Sequence, residues 1–184
     1  TLAGSLTAPE TITNSAQIAS ELLDMVSSNN TSAAALDVCM NNLSVTSAAD
    51  SGTGTLRWAL AGICPDGTIT IAPPTPLVIT LTSGQLAIDR NVTIAGSGAS
   101  TVTVDANGTS RIFSVGAGNS ATIGGLTLLR GSAGAGNGGA ILVNSGASLA
   151  LTNAAIVSGT AGTGGAVANL GVAAIGNSEL RGNS

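Results

Sequence analysis

The chain has 184 residues, of which 99 are Ala, Gly, Thr or Ser, with two aromatic residues, five Arg, no Lys and no His. That composition excludes a Ser-His or Cys-His nucleophile, an imidazole metal site and a lysine Schiff base. A net charge of -4 leaves no basic stripe for nucleic acid, and no apolar run reaches the roughly 18 residues needed to span a bilayer. With 8% charged residues and a mean hydropathy of +0.46 the chain is expected to fold, since disordered chains are polar and charged.

In chain order, residues 1–12 (TLAGSLTAPETI) read as an extended arm. From Asn14 to about Ser27 the pattern predicts a helix, with Ile18, Leu22, Leu23 and Val26 on one face and a capping-box-like start at Asn14 and Gln17. Residues 1–41 form an N-terminal arm and helix, and 42–184 a second region. A short helix fits Thr55–Ile63, with Leu56, Leu60 and Ile63 on one side. A disulfide between Cys39 and Cys64 is expected to clamp it as a lid. Zinc needs more ligands than two Cys without His. The sequence names no cofactor.

Downstream, short apolar runs alternate with Gly or Asn corners. TITIA (68–72), LVITL (77–81) and QLAI (85–88) make a first turn. NVTIAG (91–96), TVTVD (101–105) and RIFSV (111–115) make a second. Residues 121–146 and 147–171 make the third and fourth, and a fifth stops at Ser184. ATIGGLTLLRG (121–131), LALTNAAIVSG (149–159) and AAIGNSELRGN (173–183) align at offsets of 28 and 24 residues. This places Ile123, Leu151 and Ile175 in one core ladder and Leu128, Ile156 and Leu180 in another. Gly125, Asn153 and Asn177 share a corner. GSAGAGNGGAILVN (131–144) matches GTAGTGGAVAN (159–169), which predicts Asn144 above Asn169. A lone coil cannot bury its apolar face, but stacked coils about 4.8 Å apart share one core. Gly every few residues excludes a helical reading. The expected fold is all-β: a right-handed parallel β-helix of about five coils with an N-terminal helical cap.

The run DSGTGTLRWALAGI, followed by DGTITI, QLAIDRNVTIAGSGASTVTVDANGTSRIFSV and GNGGAILVNSGASLALTNAAIVSG, resembles bacterial surface and secreted parallel β-helix proteins. The likeness is to those with a CSLREA-type N-terminal motif and polymorphic-outer-membrane-protein-like repeats, over about residues 42–184. Gly54-Thr55-Leu56-Arg57-Trp58-Ala59 stands at the motif, without its leading Cys and with Trp58 where the motif has Glu. The resemblance implies a cell-surface, adhesin-like or structural protein with no catalytic residues, and the opening at Thr1 without an initiator Met is read as a removed signal peptide.

Candidate chemistry is sparse. Asp89, Arg90, Asp105 and Arg111 make one acidic-basic cluster that a polysaccharide lyase or hydrolase would need. GAGNGG (134–139) lacks the Lys of a phosphate loop and the Asp of a calcium repeat. Thr68/Thr70, Thr80/Thr82 and Thr101/Thr103 raise ice or surface binding as a rival. Sequons at Asn29, Asn42, Asn91 and Asn107 are no more than composition predicts. The leading expectation is a secreted adhesin or filament subunit that self-associates by end-to-end stacking, or by donating residues 1–12 as a strand, or that meets a surface ligand.

Overall fold

A computed structural model describes residues 10–17 and 31–184. The chain divides into two compact units, Thr1–Met40 and Asn41–Ser184. In the first, β1 (Glu10–Gln17) pairs antiparallel with β2 (Thr31–Val38), Glu10 opposite Val38 and Gln17 opposite Thr31. Asn14–Gln17 are therefore strand, which corrects the helix start expected there. Thr11, Ile12 and Thr13 carry β-branched side chains suited to a strand, and pairing with a distant segment overrides a local capping pattern. The remainder of that expected helix, 18–27, lies outside the described residues.

In the second unit β3 (Met40–Ser44) leads to the helix α1 (Leu56–Gly62). Thr55 caps it: its Oγ1 accepts from the Trp58 amide at 3.2 Å, satisfying one donor of the first turn. α1 buries Leu56, Ala59 and Leu60. It packs on β4 (Ile63–Ile71) and β6 (Leu86–Ile88) of the first coil. The cap sits where the sequence places it.

The rest is a parallel β-helix of about five coils with three walls. One wall runs β4, β7 (Val92–Gly96), β10 (Ser120–Gly124), β13 (Ser148–Thr152) and β16 (Val172–Gly176), with β3 beyond β4. The second stacks β5 (Leu77–Thr80), β8 (Val102–Asp105), β11 (Thr127–Leu129), β14 (Ala155–Val157) and β17 (Glu179–Arg181). The third stacks β6, β9 (Phe113–Val115), β12 (Ile141–Val143) and β15 (Val167–Asn169). All pairs from β4 onward are parallel.

Register makes the columns. Ile69, Ile94, Ile123, Leu151 and Ile175 follow one another up the first wall. Ile79, Val104, Leu128, Ile156 and Leu180 do so on the second. Leu86, Phe113, Ile141 and Val167 form a third column. From Ile69 to Leu151 and from Ile79 to Ile156 these side chains are almost wholly buried, which supplies the burial no single coil could provide. Ile175 and Leu180 keep their places in register but are 44% and 45% exposed, because the described chain has no coil above them. They end the columns without being core.

Candidate functional site

Polar chemistry gathers where α1 meets the first coil. Asp50, in the loop before α1, is buried. Its Oδ1 accepts from Arg57 Nη2 at 2.7 Å and Nε at 3.1 Å. Its Oδ2 accepts from the amides of Thr82 at 3.0 Å and Ser83 at 2.7 Å, and from Thr82 Oγ1 at 3.2 Å. Arg57 also donates from Nη1 to Gln85 O and from Nη2 to Gly84 O. One carboxylate thus ties the cap loop, the helix and the corner before β6 together. Burial alone would raise the Asp50 pKa. The bonds from Ser83, Arg57 and the Thr82 amide outweigh it and hold the carboxyl far below the usual range.

Beside this clamp lies an open cleft of about 390 Å³ lined by Arg57, Leu60, Gln85, Leu86, Asp89 and Arg90. Arg90 Nη1 is fixed by Ile63 O at 2.6 Å. Arg111, one coil on, donates to Gln85 Oε1 and to the carbonyls of Asn137 and Gly138.

The acidic-basic cluster expected from the sequence is not assembled. Asp89 follows β6 and lines the cleft, whereas Asp105 ends β8 at a different corner and is bound by Arg130 through Nη2 and Nε and by the Asn107 amide at 2.8 Å. Burial pushes the Asp105 pKa up, and Arg130 with Asn107 more than reverses that. Arg111 serves Gln85 Oε1 and backbone carbonyls, not either acid.

At the corners, Gly125, Asn153 and Asn177 all take left-handed backbone, with φ of 66°, 49° and 47°. Gly125 is also pressed by its neighbours, since a Cβ there would meet the Gly96 carbonyl. At the next corner the left-handed residues are Arg130, Ser158 and Gly182. Asn183 there accepts from the Gly159 amide at 2.8 Å and donates to Ile156 O at 3.0 Å.

The Asn144 over Asn169 ladder is corrected: Asn169 pairs with Val143. The segment ILVN has one residue more than VAN, so matching the two asparagines slips the register by one. Asn144 Nδ2 instead donates down to Val115 O at 2.7 Å and Ser114 Oγ at 3.2 Å.

Outward-facing threonines do stack on the first wall: Thr68, Thr93 and Thr122 share a column that continues as Ala150 and Ala174. Cys39 and Cys64 are disulfide-bonded, and as the chain's two cysteines they form one bridge. Among the described residues no group of three or more Cys, Asp or Glu could hold a metal, and no helix is long and apolar enough to cross a membrane.

Comparison with protein-family models, curated proteins and solved structures gives no match for this chain.

Sequence reasoning missed the Asp50 clamp. Asp50 and Thr82 are 32 residues apart, and two of the clamp's five donors are backbone amides that no side-chain pattern reveals.

Proposed function

We propose that the protein is an extracellular structural solenoid of the surface-adhesin kind, which associates with a second copy of itself through the edge formed by β15, β16 and β17. The observation that carries this reading is the apolar edge: among the described residues Val172, Ile175 and Leu180 are 66%, 44% and 45% exposed, on strands with a partner on one side. Unpaired strand edges of this kind invite a further strand. The disulfide and the Ser-, Thr- and Asn-rich composition support an oxidising, extracellular setting, as does the resemblance to secreted β-helix proteins.

The second copy is the occupant that fits, because its own edge offers the same row of parallel strands and the same apolar columns. The first coil carries β3 and α1, so stacking uses the same edge on both copies and closes as a two-fold pair rather than an open fibre. Donation of residues 1–12 is a weaker route, since Glu10, Thr11 and Ile12 pair with β2 of their own chain.

Sedimentation of the purified chain over a range of concentrations tests this. A concentration-dependent dimer, lost in Ile175→Glu, is the expected result. A monodisperse monomer at high concentration would overturn it.

Ordered-surface binding is the second reading, favoured by the Thr68, Thr93 and Thr122 column. Thermal hysteresis of a Thr93→Tyr variant against the parent chain separates it from the first.

A further inference from the structure

Strand β17 consists of Glu179, Leu180 and Arg181, and among the described residues it has a partner on one side, β14. Its backbone shows which residue serves the open side. Glu179 N donates to Ala154 O at 2.9 Å and Arg181 O accepts from Ser158 N at 3.1 Å, so both residues bond to the coil below. Backbone groups of successive strand residues point to opposite neighbours, which directs the N–H and C=O of Leu180 to the open edge. The Leu180 side chain ends the inward column of the second wall. Glu179 and Arg181 therefore stand on the outward face, 3.6 Å apart and each with 63% of its side chain exposed. At the same two positions the strands below carry Ala155 and Val157, then Thr127 and Leu129, so this charge pair belongs to the edge strand.

On the reading that two copies join through this edge, we propose that β17 pairs antiparallel with β17 of the second copy about a two-fold axis through Leu180. A two-fold axis that sets the apolar columns of one copy on those of the other runs through the wall and reverses strand direction. Leu180 of each copy then donates its N–H to the Leu180 carbonyl of the other, which is the closely spaced bond pair of an antiparallel ladder. Glu179 falls opposite Arg181 of the second copy, and Arg181 opposite its Glu179. Both pairs lie on one face at the spacing of directly opposed residues, where opposite charges attract.

Charge order selects this arrangement over its neighbours. Moving the axis to Glu179 sets Glu179 against itself, and moving it to Arg181 sets two guanidinium groups face to face. Head-to-tail stacking would lay β17 along β5, whose Leu77, Val78, Ile79 and Thr80 offer neither charge a partner. Charges of a single sign would guard an edge strand against pairing. The sequence acid, leucine, arginine instead reads as its own complement when reversed, so it admits one partner and one register.

Sedimentation of Glu179→Arg, of Arg181→Glu and of their equimolar mixture tests the register, beside the parent chain. Each variant alone sets like charges opposite each other at both ends of the pairing, and its dimer should weaken by about tenfold or more. In the mixture the doubly positive strand of one variant meets the doubly negative strand of the other. A one-to-one heterodimer, within about threefold of the parent's affinity, is expected. Both side chains are exposed and outward, so each variant keeps the parent's circular dichroism and melting temperature at low concentration. A parent dimer that survives unchanged in both variants, or variants that do not recover on mixing, would overturn the register and leave association through the edge standing. A parent chain that stays monomeric at every concentration would overturn both.

Discussion

At the scale of single residues the most consequential group is Asp50, whose side chain is 4% exposed while that of its partner Arg57 is 28% exposed. Asn in its place keeps one acceptor oxygen but sets an NH2 group against the donors of the other and leaves the Arg57 charge without its counter-ion, and breaking a buried network of this kind costs about 2–3 kcal/mol. Asp50→Asn should lower the urea midpoint at pH 7 accordingly. The pH dependence has a definite sign. The folded carboxyl is depressed below its unfolded value of about 3.9, so its contribution is complete above that value and disappears as pH falls through the lower folded value. The gap between parent and Asp50→Asn stability should therefore be constant from pH 7 to about 5 and close towards about pH 2. A gap that widens in acid would contradict the clamp. Asp105, depressed in the same direction by Arg130 and Asn107, leaves a residual acid sensitivity in both proteins.

At the scale of elements, position in a column matters more than residue type. Ile123 and Ile175 are the same side chain in the same column, two coils apart, with 0% and 44% exposure. Truncating Ile123 opens a cavity enclosed by Ile94 below and Leu151 above, at a cost of about 3 kcal/mol. Ile175→Ala should cost about 1 kcal/mol in the monomer, since much of its surface is already in water. Denaturant titration of both variants at low protein concentration would read the difference, and equal losses would mean that the last coil is covered. These columns were legible in the sequence because a repeated coil repeats its inward apolar residues, and Gly125, Asn153 and Asn177 mark where each coil turns. Two things were not legible. The length of the segment before Asn144 and Asn169 differs by one residue, and residue identity alone could not choose the register. The β1–β2 pair is set by partners far along the chain, so a local capping pattern at Asn14 and Gln17 pointed elsewhere.

At the scale of the whole solenoid, stability is close to a sum of coils and the contacts between neighbours. The first coil has β3 beside it and α1 packed on it, and the inner coils have a neighbour on each side. Among the described residues the coil formed by β16 and β17 has a neighbour on one side only. Its bonds to the coil below include Val172 N to Ala147 O and Glu179 N to Ala154 O, both at 2.9 Å. Local opening should therefore begin there, and amide hydrogen exchange should be fast in 172–181 and slow in 120–129 of the dilute protein, although the two segments hold equivalent positions in register. Self-association through this edge makes a second demand. Raising the protein concentration should slow exchange in 172–181 while leaving 120–129 unchanged, because pairing supplies the missing neighbour to the last coil alone. Slow exchange in both segments at every dilution would contradict association through this edge.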